Sequence, residues 1–243
     1  MKKHLLVCLL ALALASLCML PSQVQAAEET HNHCTCGADH VSIGEHKNDS
    51  SSSTKWTALT PDSNGHVKWP EGGNSYYLTG DVVLDKTWVV QQNNSVIVLC
   101  LNGHRITMEG PGPAIEVNGI STSRKTYLTI TDCTGKGTIT HSGGAKDPAV
   151  KVGEYGSFTM YGGTITGNHV NGNGGGVCID GTNGSFTMYG GTITNNSATG
   201  NGGGVYVDGT NSGFIMYGGT ITNNSATGNG GGVYVGSGQQ VYV

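Results

Sequence analysis

The side chains best suited to metal chemistry lie close together near the start of the chain. The stretch HNHCTCGADH contains His31, His33, Cys34, Cys36 and His40, and imidazole and thiolate groups are the ligands that zinc prefers. The Cys-x-Cys spacing is tighter than in most zinc sites, and thiols of an exported protein can oxidise instead. The sequence therefore indicates either a zinc site or a tail without a metal.

A second set of metal-binding candidates lies far downstream. Asp180 and Asp208 occupy the same position of consecutive sequence repeats, and strands stacked about 4.8 Å apart would bring their carboxylates together. A calcium ion could bridge them, with Asn183 or Asn211 as further oxygen ligands. The alternative is a pair of solvated turn residues, as Asp-Gly commonly is. The third repeat has Gly236 at this position. We expect that the protein requires no cofactor, with calcium here or zinc near the start of the chain as the alternatives.

Catalytic residues for polysaccharide degradation are not evident. A lyase needs clustered carboxylates with calcium and a basic residue, and a hydrolase needs two carboxylates around the scissile bond. Beyond Lys151 the charged side chains are Glu154, Asp180 and Asp208 alone. We therefore expect a protein that is not an enzyme. A pectate lyase-like enzyme acting on acidic polysaccharides is the alternative.

Tyrosine and threonine recur at positions predicted to face outward. A flat, uncharged face of aromatic rings and hydroxyl groups suits stacking on sugar rings and bonding to their hydroxyls. Both residue types are also simply good strand formers, and a Thr-x-Thr grid of about 6.8 by 4.8 Å is a remote indication of ice binding. The candidate ligand-binding residues are Tyr161, Tyr189, Tyr217, Tyr206, Tyr234, Thr192, Thr194, Thr220 and Thr222.

These residues belong to a repeat of 28 residues. The stretch GGTITNNSATGNGGGVYV at 190–207 recurs letter for letter at 218–235, and Phe158, Phe186 and Phe214 follow the same spacing. Each unit contains three short segments with alternating apolar and polar residues, separated by corners rich in glycine and asparagine. This pattern predicts an all-β parallel β-helix with three strands per coil, each strand pairing with its copy one coil later.

The stacking predicts which residues meet between coils. Phe, Met, Ile and Val should fill the axis, and Asn196 should pass hydrogen bonds to Asn224 at a corner. Cys100 and Cys133 lie in successive irregular coils, within disulfide range. Cys178 occupies the position of Tyr206 and is expected to face outward without a partner.

Three segments make up the chain. Residues 1–26 have Lys2 and Lys3, an apolar run and small residues before Ala27, which is typical of a secretory signal peptide. Residues 27–55 are the His/Cys-rich segment and a polar linker, and residues 56–243 are the predicted β-helix. We expect export without a lipid anchor or a transmembrane segment.

The charge distribution argues against a nucleic-acid partner. The formal net charge is −4 at pH 7, and it becomes more negative once Lys2 and Lys3 leave with the signal peptide. Nucleic-acid binding requires a basic surface, whereas the last basic residue here is Lys151. The C-terminal third should therefore present a neutral surface.

The order of four motifs resembles a known group of proteins. NSYYLTGDVVL, VLCLNGHRIT, LTITDCTGKGTIT and GSFTMYGGTITGN with GGGVCI are similar to secreted right-handed parallel β-helix repeat proteins of Gram-positive anaerobic bacteria. The similarity covers roughly residues 56–243, and HNHCTCG also has counterparts there. The resemblance implies a right-handed parallel β-helix that is adhesin-like, with some relatives carbohydrate-binding. It implies a secreted protein, associated with the cell surface.

The sequence departs from this group at its C-terminus. It stops at Val243 inside a predicted strand, without the polar cap that a solenoid normally requires. This predicts a fragment, or a last coil that makes an end-to-end contact with a partner. Overall, we expect a non-catalytic module that binds a polysaccharide or a host or microbial glycan, and a purely structural surface spacer is the other alternative.

Overall fold

The computed structural model of the protein describes residues 56–70, 72–91, 96–142 and 147–243. These residues lie within one of the two compact units of the chain, His33–Val243. The predicted signal peptide, the linker and the zinc candidates His31, His33, Cys34, Cys36 and His40 lie outside the described residues. Those predictions therefore stay predictions.

The described residues form 23 strands, numbered β1 to β23 in chain order, and no helix. Nearly all of them belong to three long parallel sheets, A, B and C. Sheet A has eight strands: β1 (Trp56–Leu59), β2 (Ser75–Leu78), β5 (Val96–Cys100), β8 (Thr126–Thr131), β11 (Gly156–Met160), β15 (Ser185–Met188), β19 (Gly213–Met216) and β23 (Gln240–Tyr242).

Sheets B and C each have six strands. Sheet B consists of β3 (Val82–Leu84), β6 (Arg105–Met108), β9 (Thr138–His141), β12 (Thr164–Thr166), β16 (Thr192–Thr194) and β20 (Thr220–Thr222). Sheet C consists of β4 (Trp88–Val90), β7 (Ile115–Val117), β10 (Val150–Val152), β14 (Val177–Ile179), β18 (Val205–Val207) and β22 (Val233–Val235).

The chain visits sheets A, B and C in turn and then begins the next coil. Phe158 pairs with Phe186 and Phe186 with Phe214, so the spacing of 28 residues in the sequence is the register of the sheet. The predicted all-β parallel β-helix is confirmed. The described residues contain no helix that is long and apolar enough to cross a membrane.

The number of strands per coil differs from the expectation. In the last three coils a short fourth strand lies between sheets B and C, at β13 (His169–Val170), β17 (Ser197–Ala198) and β21 (Ser225–Ala226). These three strands form a small parallel sheet D. The sequence had assigned this segment to a corner, because two residues are too short for alternation to be visible.

Apolar side chains fill the axis of the β-helix. The rings of Phe158, Phe186 and Phe214 are fully buried and stack with centroids 4.9 Å apart. Near the first coils, Trp69 stacks on Trp88 with a centroid distance of 4.0 Å. Because the strands of each coil repeat the same inward residues, the outward residues also form straight columns along the axis.

Candidate functional site

The outer side of sheet B is a face built from threonine. In β12, β16 and β20 the central isoleucine points inward, and a threonine on each side points outward. Thr192 pairs with Thr164 and Thr220, and Thr194 pairs with Thr166 and Thr222. The predicted threonine pairs are therefore brought together in two parallel columns.

The columns extend further than the sequence analysis proposed. Thr138 pairs with Thr164, and Thr140 pairs with Thr107 one coil earlier. The signal was present in the sequence as GTIT at 137–140 and RITM at 105–108, but the irregular spacing of those coils concealed it. We call the nine side chains the threonine face: Thr107, Thr138, Thr140, Thr164, Thr166, Thr192, Thr194, Thr220 and Thr222.

The threonine face is almost free of charge. Within the described strands of sheet B, Arg105 is the one charged residue that points outward, and it precedes Thr138 in its column. Its backbone N–H donates to the Asp81 carboxylate at 2.9 Å, and the imidazole of His104 lies 3.5 Å from the same carboxylate. Charge is therefore confined to the end of the face that lies in the early coils.

A row of tyrosines follows sheet A, at the corner that leads into sheet B. Tyr161 and Tyr189 stack with ring centroids 4.6 Å apart and planes inclined by 5°, and Tyr189 and Tyr217 stack at 4.9 Å and 13°. Tyr217 is 67% exposed, and the other two rings are half-buried. The predicted row is thus present beside the threonine face.

The stacking of these rings differs from the expectation that their faces would be free to pack against sugar rings. A sugar ring packs against the face of an aromatic ring, but both faces of Tyr189 are covered by Tyr161 and Tyr217. The row therefore presents ring edges and not a flat aromatic platform. The sequence could not show this, because outward direction alone does not fix the plane of the ring.

In the second expected row, on the outer side of sheet C, Tyr234 is half-buried, but Tyr206 is not exposed as predicted. Tyr206 is only 8% exposed and stacks on Tyr234 at 5.2 Å. Gly202, with φ of 67°, brings the preceding turn so close to this strand that a Cβ there would lie 2.8 Å from the Tyr206 Cβ. A glycine-rich turn therefore covers the sheet, and ligand binding by Tyr206 and Tyr234 stays an untested prediction.

Cys178 shares this environment. It pairs with Tyr206 in the register of sheet C, and it is 7% exposed and not the open outward residue that the sequence predicted. Burial raises the pKa of the Cys178 thiol to about 12, and the nearby Asp180 carboxylate acts in the same direction. A protonated, buried thiol is a poor nucleophile and a poor metal ligand.

Asp180 and Asp208 follow β14 and β18 and each contacts another side chain of the protein. The Lys151 ammonium lies 3.3 Å from Asp180 Oδ2, and the Tyr206 hydroxyl donates to Asp208 Oδ2 at 2.8 Å. No group of three or more His, Cys, Asp or Glu residues suited to a metal ion occurs in the described part of the chain. Calcium binding at these two carboxylates stays a prediction.

The pKa values of Tyr206 and Lys151 are also shifted by burial and by the two aspartates. Burial raises the pKa of Tyr206, and the hydrogen bond to the negatively charged Asp208 raises it further. Burial lowers the pKa of Lys151, but the charge and hydrogen bond of Asp180, together with the nearby Glu116 and Cys178, outweigh this effect, so that the pKa is raised overall. Lys151 is therefore a protonated ion-pair partner at neutral pH and not a base.

Comparison with known proteins gives one match. Residues 190–208 match the Chlamydia polymorphic membrane protein (Chlamydia_PMP) repeat. This stretch contains β16, β17 and β18, and thus one set of the threonine pairs. No curated protein and no solved structure matches the chain.

Proposed function

We propose that the protein is an exported, non-catalytic surface module that binds a polysaccharide or another glycan along the threonine face. The observation that carries the proposal is the uncharged array of nine threonines in two columns on sheet B. The similarity of residues 190–208 to a repeat of a polymorphic membrane protein supports a place at a cell surface. The resemblance of four motifs to adhesin-like proteins of Gram-positive anaerobes favours the same role.

The chemistry of the face suits a polyhydroxylated ligand. A threonine hydroxyl can donate one hydrogen bond and accept others, which matches the mixed donor and acceptor character of sugar hydroxyls. Thr140 already donates to the His141 carbonyl at 3.3 Å, so its hydroxyl would act as an acceptor. Successive hydroxyls in a column lie about 4.8 Å apart because the strands do. A polymer lying along the axis would therefore meet the same groups at every coil, and many weak bonds would add up to useful affinity.

The tyrosine row contributes differently from the way the sequence suggested. Tyr161, Tyr189 and Tyr217 present ring edges beside the threonine face, so they form a rim along the bound chain. The edge of each ring can contact the C–H groups of a bound sugar. Specificity would thus come from hydroxyl bonding along the face and a smaller apolar contribution from this rim.

The charge distribution narrows the ligand class. A strongly anionic polysaccharide would need basic side chains to balance it, and Arg105 is the one outward basic residue in the described strands of sheet B. A neutral or weakly charged glycan therefore fits the face best. This distinguishes the proposal from a lyase acting on acidic polysaccharides, whose substrate would carry a carboxylate on each sugar.

Binding to a glycan array is the test of the proposal. We expect wild-type protein to retain a set of neutral glycans, and Thr166→Val with Thr194→Val to reduce that binding at least about 10-fold, as expected for the loss of several hydrogen bonds. Valine keeps the branched shape and the strand preference of threonine while it removes the hydroxyl. Tyr217→Ala should weaken binding less.

A matched control is available on another face of the same coils. Thr159 and Thr187 are half-buried threonines that pair with each other in sheet A, and Thr159→Val with Thr187→Val should leave binding unchanged. Equal loss in both double variants would contradict a site on sheet B. Absence of any retained glycan would favour a spacer, and release of unsaturated uronic products would favour a lyase.

A further inference from the structure

Two thiols from consecutive coils lie in contact at the corner between sheets A and B. Cys100 is the last residue of β5, and Cys133 follows β8 by two residues. The two Sγ atoms are 3.1 Å apart. Cys100 is fully buried, and Cys133 is half-buried, so a bond between them would lie at the edge of the core.

The backbone holds the two residues together independently of the side chains. Cys100 pairs with Thr131 in sheet A, and the Leu101 N–H donates to the Thr131 carbonyl at 2.9 Å. Cys100 and the residue after it, Leu101, are therefore both held against the strand that leads to Cys133. The register of the sheet therefore brings the backbones of the two cysteines close together.

The loop that carries Cys133 is also anchored to the preceding coil. The Asp132 carboxylate accepts a hydrogen bond from the Gly103 N–H at 2.7 Å and another from the Gly137 N–H at 2.7 Å. One oxygen therefore ties the loop to the coil that contains Cys100, while the other closes the loop on itself. This double anchor keeps Cys133 over Cys100 and limits the movement that would separate them.

We infer that Cys100 and Cys133 form a disulfide that joins the two coils in the exported protein. The sulfurs need to approach by about 1 Å to reach the bond length of about 2.05 Å, a shift that a change in side-chain rotation supplies. The two thiols lose two protons and two electrons as the Sγ–Sγ bond forms. A small-molecule or protein disulfide accepts the electrons and is reduced to two thiols.

The bond would protect the irregular part of the β-helix. Solenoids open coil by coil because each repeat contacts only its neighbours, and the early coils have unequal lengths, with Ile106 pairing with Ile139 and Ile139 with Ile165. A link between residues 33 positions apart restrains the unfolded chain. The disulfide would also hold the loop that carries Cys133, which lies beside the start of the tyrosine row.

Peptide mapping under non-reducing conditions tests the inference directly. The exported wild-type protein is equilibrated with oxidised and reduced glutathione, remaining thiols are alkylated in denaturant, and the protein is digested with trypsin. Cys100 falls in peptide 87–105, Cys133 in 126–136 and Cys178 in 152–243, so each of these cysteines is reported separately. We expect peptides 87–105 and 126–136 to be linked and Cys178 to be alkylated.

Two variants complete the experiment. Cys178→Ser should leave the linked peptides unchanged, whereas Cys133→Ser should abolish them and leave Cys100 alkylated. Reduction of the wild type should lower the midpoint of thermal unfolding by roughly 5–10 °C, and Cys133→Ser should show no such response to reductant. Alkylation of both Cys100 and Cys133 in the oxidised protein, or their linkage to Cys34 or Cys36 instead, would overturn the inference. Neither result depends on glycan binding.

Discussion

Oδ1 of Asn196 accepts a hydrogen bond from the side-chain amide of Asn168 at 2.7 Å and another from the backbone N–H of Asn168 at 3.2 Å. Asn196 makes the same two bonds to Oδ1 of Asn224. Its amide group also donates to the Ile165 carbonyl at 3.0 Å. Asn196 is 1% exposed, so this amide ladder satisfies polar groups that water cannot reach.

Removal of the central amide should therefore destabilise the fold. Asn196→Ala removes the acceptor of the Asn168 backbone N–H and of one Asn168 side-chain N–H, and it removes a donor to the Ile165 carbonyl. Each buried unsatisfied group costs about 1–3 kcal/mol. We expect the free energy of unfolding to fall by roughly 2–4 kcal/mol, measured by urea denaturation. As a control, Asn171→Ala removes one exposed hydrogen bond to Thr199. This variant should change the free energy of unfolding by less than about 0.5 kcal/mol. Equal effects would contradict the role of the buried ladder.

The glycine-rich turn over sheet C should tolerate a methyl group at one position and not at another. Gly174 has φ of 72° and an added Cβ would lie 2.7 Å from the Cys178 Cβ, whereas Gly172 has no heavy atom within 4 Å of an added Cβ. Gly174→Ala should reduce the free energy of unfolding by roughly 2–4 kcal/mol. Gly172→Ala should be neutral or slightly stabilising. Thermal unfolding of the two variants checks this, and a tolerant Gly174 would show that the turn can move.

Cys178 should resist alkylation at alkaline pH. Its pKa is raised from an ordinary value of 9.0 to about 12 by burial, and the thiolate is the reactive form. At pH 9 we expect iodoacetamide to modify it at least about 100-fold more slowly in the folded protein than in denaturant. Because the folded pKa lies above the unfolded one, the associated stability is present below pH 9 and declines as pH rises towards 12. Fast modification of folded protein would contradict this burial.

The bond between Tyr206 and Asp208 should appear in an alkaline titration. Burial and the Asp208 carboxylate both raise the pKa of Tyr206, so this tyrosine should ionise after the exposed ones. Asp208→Asn keeps an acceptor oxygen but removes the charge, and it should lower the pKa of Tyr206 part of the way back. Phenolate absorbance measures the shift, with Tyr206→Phe to identify the group.

The sign of the stability effect follows from the same shift. The raised pKa means that the folded protein holds this proton more tightly than the unfolded chain, so the stability is fully present below about pH 10 and is lost as pH rises above it. Because Asp208→Asn leaves the folded pKa less raised, this variant should lose less of its free energy of unfolding above about pH 10 than the wild type does. An unchanged titration in that variant would show that Asp208 does not control Tyr206.

Much of the fold was predictable, because the repeat directly encodes the register. The spacing of Phe158, Phe186 and Phe214 gave their pairing in sheet A, and the threonine pairs followed from the same rule. The earlier coils were less clear, since Ile106 and Ile139 are 33 residues apart and Ile139 and Ile165 are 26 apart. Loops of unequal length hide a register that only backbone pairing reveals.

The sequence predicted which residues lie on the outer sides of the sheets better than it predicted which of them are exposed to solvent. Alternation along a strand correctly placed Thr192 and Thr194 on the outer side of sheet B. It placed Tyr206 and Cys178 on the outer side of sheet C as well, but it could not show that glycine turns return over that side. Gly202 lies four residues before Tyr206, and Gly174 lies four residues before Cys178. The cover therefore comes from the preceding turn, and alternation carries no information about the path of a turn.

The sequence by itself determined the stacking of the coils, because identical segments of constant length can bury their apolar residues most simply by pairing with their own copies. The tertiary structure alone decided which outward columns stay open, that the tyrosine rings cover one another's faces, and that the side chains of Cys100 and Cys133 point towards each other. The physical reason is that register is a one-dimensional property of spacing along the chain. Side-chain orientation and solvent access depend on the three-dimensional course of every corner.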